Sequence, residues 1–169
     1  MLRAIVLFTR SRIYQQEIFS YLNANRVRSN FWTATANGHL DIAVIEWCKL
    51  FGVNDNATHW KKNVDDKKAF RKELLAYLKK SRKEWDAYWA SVVDYRNKEV
   101  AHFDPGFSPR QVPWLDTAYE AMKFAYEYFQ YPKSGLPPNL EDYENKYRPV
   151  AKEIIQSAIS QTAKIKDDW

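Results

Sequence analysis

The 169-residue sequence contains only four glycines and a single cysteine. So few glycines argue against a sheet-rich fold, because tight β-turns depend on glycine for positive φ angles. The lone Cys48 excludes an internal disulfide and favours a reducing cytoplasm as the compartment. It stands in the apolar run IAVIEWCKLF with no paired base in view, so we expect a small core residue rather than a nucleophile.

Long apolar runs are also missing. No stretch approaches the roughly eighteen apolar residues that a membrane-spanning helix needs. The N-terminal segment MLRAIVLFTRSR has a short apolar run between arginines, which is too short for the core of a signal peptide. We therefore expect no membrane partner and a cytoplasmic location.

The residues that are present are typical of a globular chain, with 46% hydrophobic, 28% charged and 16% aromatic residues. Proline, glycine and apolar periodicity divide it into five helical segments, with Ser29 as an N-cap, Gly52 as a stop signal and Pro149 as a bend. The sequence predicts helices over residues 2–23, 30–50, 65–102, 114–129 and from 140 onward, with a kink or exposed turn across KKSRKE. We predict an all-α fold, an up-and-down bundle of about five helices in a single domain, 1–169.

Positive charge is concentrated in one part of the chain. Residues 58–98 hold twelve Lys or Arg and six Asp or Glu, a net charge of +6, so the remainder nets −1. Such a run is either a solvated helix face or the surface for a polyanion such as RNA. The candidate RNA-binding residues are Lys79, Lys80, Arg82, Lys83 and Lys98.

The stretch DYRNKEVAHFDP contains the strongest candidate for a catalytic site: Arg96, Asn97 and His102. On an ideal helix, residues six apart point about 120° away from each other, so Arg96 and His102 would not share a pocket. Two arrangements bring them together. Either the helix deforms before Pro105, or two copies of the motif face each other across a two-fold axis.

The three side chains suit cleavage of an RNA phosphodiester without metal. A histidine can take the 2′-OH proton at neutral pH, and a guanidinium can hold the phosphate and stabilise developing charge. The purely structural alternative is that His102 caps a helix end while Arg96 pairs with Asp94, Glu99 or Asp104. The other histidines lack the paired spacing of a helical metal site, so we expect no metal and no cofactor.

The segment RNKEVAH, with Asn after Arg and Ala before His, resembles the Arg-(four to six residues)-His motif of the HEPN superfamily of all-α proteins. The preceding NFWTATANGHLDIAVIEWCKLFG is similar to the second helix of the abortive-infection branch of that superfamily. The likeness covers residues 30–129 and is best over 95–104.

This resemblance implies a homodimer whose two motifs form one metal-independent endoribonuclease site, in a prokaryotic toxin-antitoxin or abortive-infection system with a possible antitoxin partner. Arg96 and His102 would be the catalytic pair and Asn97 the supporting residue. The products would be a 2′,3′-cyclic phosphate and a 5′-OH. A tyrosine that one branch modifies is replaced here by Asp104, so that mode of regulation is not expected.

Two other functions remain open from the sequence. Inactive HEPN modules bind RNA or a partner protein, and the same surface would serve that role. An aromatic-rich bundle can also hold a small ligand in its core.

Overall fold

A computed structural model of the protein describes residues 1–53, 56–101, 113–129, 137 and 139–162. In these ranges the chain is an all-α bundle with no strand, which confirms the predicted fold class. The helices are α1 (Leu2–Ala24), α2 (Asn30–Phe51), α3 (Trp60–Asn63), α4 (Lys67–Tyr77), α5 (Arg82–Tyr95), a π-helix (Arg96–Ala101), α6 (Asp116–Phe129) and α7 (Leu140–Thr162).

The helix count of about five was wrong: the described ranges contain seven α-helices, because the third predicted segment is divided and a short α3 precedes it. The division lies in KKSRKE, where a turn was expected. Lys79 takes a left-handed conformation with φ 51°, which ends α4. Ser81 then starts α5 through a capping box, in which its hydroxyl accepts from the Glu84 N–H and the Glu84 carboxylate accepts from the Ser81 N–H.

The other boundaries follow the sequence signals. The Ser29 hydroxyl accepts a hydrogen bond from the Trp32 N–H at 3.3 Å, so the predicted N-cap of α2 is confirmed. Gly52 forms the C-cap of that helix, also as predicted. The Asp66 carboxylate accepts from the N–H groups of Lys68 and Ala69 at the start of α4. Helix α7 continues through Pro149.

Trp47, in the second half of α2, lies at the centre of the main core. Its fully buried ring packs against Phe51, Trp85 and Tyr88, with centroid separations of 5.5, 6.0 and 6.1 Å. This aromatic packing fixes the end of α2 against α5, the helix that leads into the Arg-Asn pair. A smaller core cluster joins α1, α2 and α7 through Ile18, Leu22, Ala36, Ile155 and Ile159.

Over the described ranges, no helix is both long enough and apolar enough to cross a bilayer.

Candidate functional site

The Arg-Asn pair lies where α5 changes from α-helical to π-helical geometry. Helix α5 ends at Tyr95, and Arg96–Ala101 forms a six-residue π-helix. Such turns are rare in proteins and are frequent at functional sites. A deformation of the helix, one of the two arrangements that the sequence left open, is present over Arg96–Ala101. His102, the third predicted catalytic residue, lies outside the described residues together with Asp104 and Pro105.

Arg96 is exposed, and its Nη1 donates a hydrogen bond of 2.9 Å to Oδ1 of Asn97. The nearby Asp94 instead pairs with Lys98 across 3.3 Å. Within the described part of the chain, no carboxylate lies within 4.0 Å of the Arg96 guanidinium. Because an amide oxygen carries no net charge, Asn97 can orient the guanidinium without neutralising it, which leaves its charge for an anionic ligand.

Tyr95 connects this segment to α2. Its hydroxyl donates a hydrogen bond of 2.7 Å to Oδ1 of Asp41, and its side chain is buried. Burial raises the pKa of the Asp41 carboxyl above its ordinary value, and the hydrogen bond from Tyr95 opposes this increase. The pKa of Tyr95 is raised by burial and by the same carboxylate. This contact fixes the point on the surface from which Arg96 projects.

A small pocket of about 130 Å³ lies beside Arg96, which we call the arginine pocket. It is lined by Ile45, Cys48, Lys49, Val53, Asn56, Val93 and Arg96. Burial raises the pKa of the Cys48 thiol to about 12, although the positive charge of Arg96 acts in the opposite direction. The thiol is therefore protonated at neutral pH, and Cys48 is the buried core residue that the sequence predicts.

The predicted RNA-binding residues fall into two groups. Four of them surround the turn between α4 and α5, where Lys79, Arg82 and Lys83 are exposed and Lys80 is half-buried. Lys98 is half-buried in the π-helix, beside the Arg-Asn pair. Arg82 and Arg96 are separated by the length of α5, about 21 Å along the helix axis. The structure thus places the basic turn and the Arg-Asn pair at opposite ends of one helix.

Each of the two described histidines is held by contacts within the fold. His59 is buried; its Nε2 donates to the Gly52 carbonyl at 3.1 Å and its Nδ1 accepts from the Lys61 N–H at 3.1 Å. His39 packs against the ring of Tyr14 at 4.8 Å, and burial lowers its pKa. Among the described residues, no three or more His, Cys, Asp or Glu side chains are grouped so that they could hold a metal ion.

A buried network of charges between α1, α6 and α7 was not predicted from the sequence. Arg148 pairs with Glu17 at 2.5 Å and also with Glu144, while Arg12 lies 3.5 Å from Glu144 and 4.2 Å from the centre of the Tyr119 ring. Burial would raise the pKa of the Glu144 carboxyl, but hydrogen bonds from Tyr119 and Arg148 and the charges of both arginines lower it overall. The network holds α7 on α1.

Comparison of the chain with protein-family models, with curated proteins and with solved structures gave no match. Its function is therefore inferred from the chemistry of its own residues.

Proposed function

We propose that this protein is a metal-independent endoribonuclease of a prokaryotic toxin-antitoxin or abortive-infection system, acting as a homodimer with one composite site. The observation that carries the proposal is the state of Arg96. Its guanidinium is exposed, hydrogen-bonded to Asn97 and, among the described residues, not neutralised by a carboxylate. It also projects from a π-helical turn, which often marks a functional site.

In the proposed reaction the 2′-oxygen of the substrate attacks the adjacent phosphorus and the bond from phosphorus to the 5′-oxygen breaks. His102 accepts the 2′-OH proton, and the leaving 5′-oxygen takes up a proton to become a 5′-OH. Arg96 stabilises the charge that develops on the non-bridging oxygens. Asn97 holds the guanidinium in place, and the second product end is a 2′,3′-cyclic phosphate.

The homodimer is supported by exposed apolar side chains on α2 and just beyond its end, two of which lie beside Arg96. Ile42, Ile45 and Val53 are 41%, 36% and 49% exposed, and the latter two line the arginine pocket with Arg96. We call these three residues the α2 face. Clustered exposed apolar side chains are typical of protein interfaces. A two-fold contact through the α2 face would bring two Arg-Asn pairs together, which is the arrangement that a composite site needs.

The test is cleavage of single-stranded RNA by the purified protein in the presence of EDTA. We expect fragments with 2′,3′-cyclic phosphate ends, identified by mass spectrometry. Arg96→Ala and His102→Ala should each lower the rate by about 100-fold or more. Lys152→Ala, an exposed basic residue on α7, serves as the matched control with an unchanged rate.

Equal cutting by the wild type and both variants would contradict the proposal. Salt-sensitive RNA binding without cutting would favour the alternative, an inactive module that binds RNA through the same surface.

A further inference from the structure

A second pocket lies beside α5, nearer the N-terminal end of that helix than the arginine pocket. We call it the tryptophan pocket. Its volume is about 190 Å³. Four segments contribute to it, namely the end of α2, α3, α4 and the first half of α5. Its charged side chains are Lys61, Arg71, Arg82 and Asp86, and its aromatic side chains include Trp60 and Trp89.

The cations of this pocket outnumber its acids. Arg82 is engaged by Asp86, with its Nε 2.7 and 2.6 Å from the two carboxylate oxygens. Lys61 and Arg71 have no carboxylate within 4.0 Å in the described part of the chain. They lie instead near the Trp60 ring, with Nζ of Lys61 and Cζ of Arg71 at 5.8 and 5.6 Å from its centre. Two cations held over one indole form a site for an anion.

The surrounding contacts fix the backbone of Lys61 and the ring of Trp89 in position. The backbone N–H of Lys61 donates a hydrogen bond to Nδ1 of the buried His59 ring, and Nε2 of the same ring donates to the Gly52 carbonyl. On the α5 side, the half-buried Trp89 donates a hydrogen bond of 2.6 Å from its indole N–H to the Phe51 carbonyl. Its ring is thereby held at the pocket wall, where a base could stack.

Trp89 and Arg96 are seven residues apart, so they lie on nearly the same face of α5 and about 10 Å apart along its axis. The tryptophan pocket and the arginine pocket are therefore neighbours on one surface. A volume of about 190 Å³ is smaller than pockets that enclose a drug-sized ligand. It suits one phosphate and part of one base of an extended strand that continues beyond the pocket.

From these observations we infer that the tryptophan pocket is a substrate subsite that binds a nucleotide of single-stranded RNA next to the cleavage position. Lys61 and Arg71 bind its phosphate, and Trp89 stacks on its base. This inference rests on the proposed ribonuclease function, since it assigns part of the same RNA path.

The test is binding of fluorescein-labelled decauridylate by fluorescence anisotropy, in a His102→Ala background that keeps the probe intact. Lys61→Met and Arg71→Met remove the charge but keep aliphatic atoms over Trp60. We expect each to weaken binding about tenfold and to reduce the slope of log K against log salt by about 0.7. Lys72→Met, an exposed neighbour of Arg71 outside the pocket, is the control with unchanged affinity.

Competition by AMP, adenosine and inorganic phosphate identifies the ligand chemistry. AMP should displace the RNA at lower concentration than either of its parts, and only when Lys61 and Arg71 are present. Thermal unfolding of each variant establishes that it is folded. Unchanged RNA affinity in folded Lys61→Met and Arg71→Met would overturn the inference, as would AMP binding that RNA does not compete with.

The two proposals can fail separately. Cleavage that depends on Arg96 but not on Lys61 or Arg71 would remove the subsite and leave the nuclease. RNA binding that depends on Lys61 and Arg71, in a protein that never cuts RNA, would keep the tryptophan pocket as an RNA-binding site and contradict the nuclease, and with it the pocket's role beside a cleavage position.

Discussion

The hydroxyl of Tyr95 donates a hydrogen bond of 2.7 Å to Asp41, and this bond joins the last residue of α5 to the middle of α2. The next residue, Arg96, begins the π-helix. The position of the guanidinium therefore depends on a buried contact one residue away. Under the proposed function, stability and activity are therefore coupled at this point of the fold.

Tyr95→Phe should destabilise the protein by about 1–3 kcal/mol, because it leaves a half-buried carboxylate without its donor. The hydrogen bond lowers the pKa of Asp41, so its removal should raise that pKa further. The loss of stability should be greatest above the folded-state pKa, where Asp41 is charged, and should shrink as acid protonates it.

Urea unfolding of Tyr95→Phe at several pH values measures this effect. Tyr77→Phe, at an exposed tyrosine on α4 whose ring packs on Phe124, is the control. An equal loss of stability in both variants would argue against the Asp41 contact as the cause.

Asn97→Ala should lower kcat/KM for RNA cleavage about tenfold, which corresponds to about 1.4 kcal/mol for the hydrogen bond that orients Arg96. Asn97→Asp should lower it further, since a carboxylate at that position would pair with the guanidinium and compete with the phosphate. Single-turnover cleavage rates distinguish the two variants. Higher activity in Asn97→Asp than in Asn97→Ala would contradict the assigned role.

Gly52→Ala should destabilise the protein by about 1–3 kcal/mol through overpacking. A Cβ at Gly52 would stand 2.6 Å from the Cys48 carbonyl oxygen, a backbone atom that cannot move away freely. A Cβ at Gly38, inside α2, meets no atom within 4 Å, so Gly38→Ala should instead stabilise the helix by about 0.5–1 kcal/mol. Thermal unfolding of the two variants measures the expected loss of stability in one and gain in the other. A destabilised Gly38→Ala protein would contradict this explanation.

Most of the helices could be predicted from local signals, since Ser29 and Gly52 act within a turn of their own position, but the four-residue α3 was not predicted. The turn that divides the long third segment was expected across KKSRKE, but the left-handed conformation of Lys79 that forms it is unusual for lysine and has no sequence marker. The π-helical geometry could not be predicted either, because the residue pattern of Arg96–Ala101 is that of an ordinary continuation of α5.

The site could be predicted only in part. Arg96 and Asn97 could be named from the motif, but neighbouring residues of a helix do not face each other, so their hydrogen bond could not be predicted from the spacing. The tryptophan pocket joins Lys61, Arg71 and Trp89 from three different segments, and no spacing rule connects them. The sequence marks the role of Asp41 as a partner of Tyr95 only weakly, in that Asp41 is the only acid in the run HLDIAVI.

Glu144→Gln should remove a component of acid sensitivity from the protein. The folded-state pKa of Glu144 is lowered, so its ionised form stabilises the fold above the ordinary pKa of about 4.5, and this contribution is lost as pH falls through the lowered value. At neutral pH the variant should lose stability toward the lower end of about 3–5 kcal/mol, because two arginines lose a shared partner.

Urea unfolding between neutral pH and about pH 3 tests this expectation for Glu144. Glu120→Gln, at a 45% exposed side chain paired with Lys123, is the control and should follow the wild-type curve. An unchanged acid slope in Glu144→Gln would contradict the assignment.

Ile45→Glu should convert the proposed homodimer to a monomer, because it places a charge on the α2 face that the partner copy would bury. Sedimentation equilibrium measures the change in mass, and RNA cleavage should fall with it because a composite site needs both chains. Ile154→Glu, at a 63% exposed position on α7, is the matched control and should leave both unchanged. A composite site also predicts that inactive Arg96→Ala and His102→Ala proteins, when mixed, regain part of the activity through heterodimers. Dimerisation that survives Ile45→Glu, or mixtures that stay inactive while subunits exchange, would contradict a composite site at the α2 face.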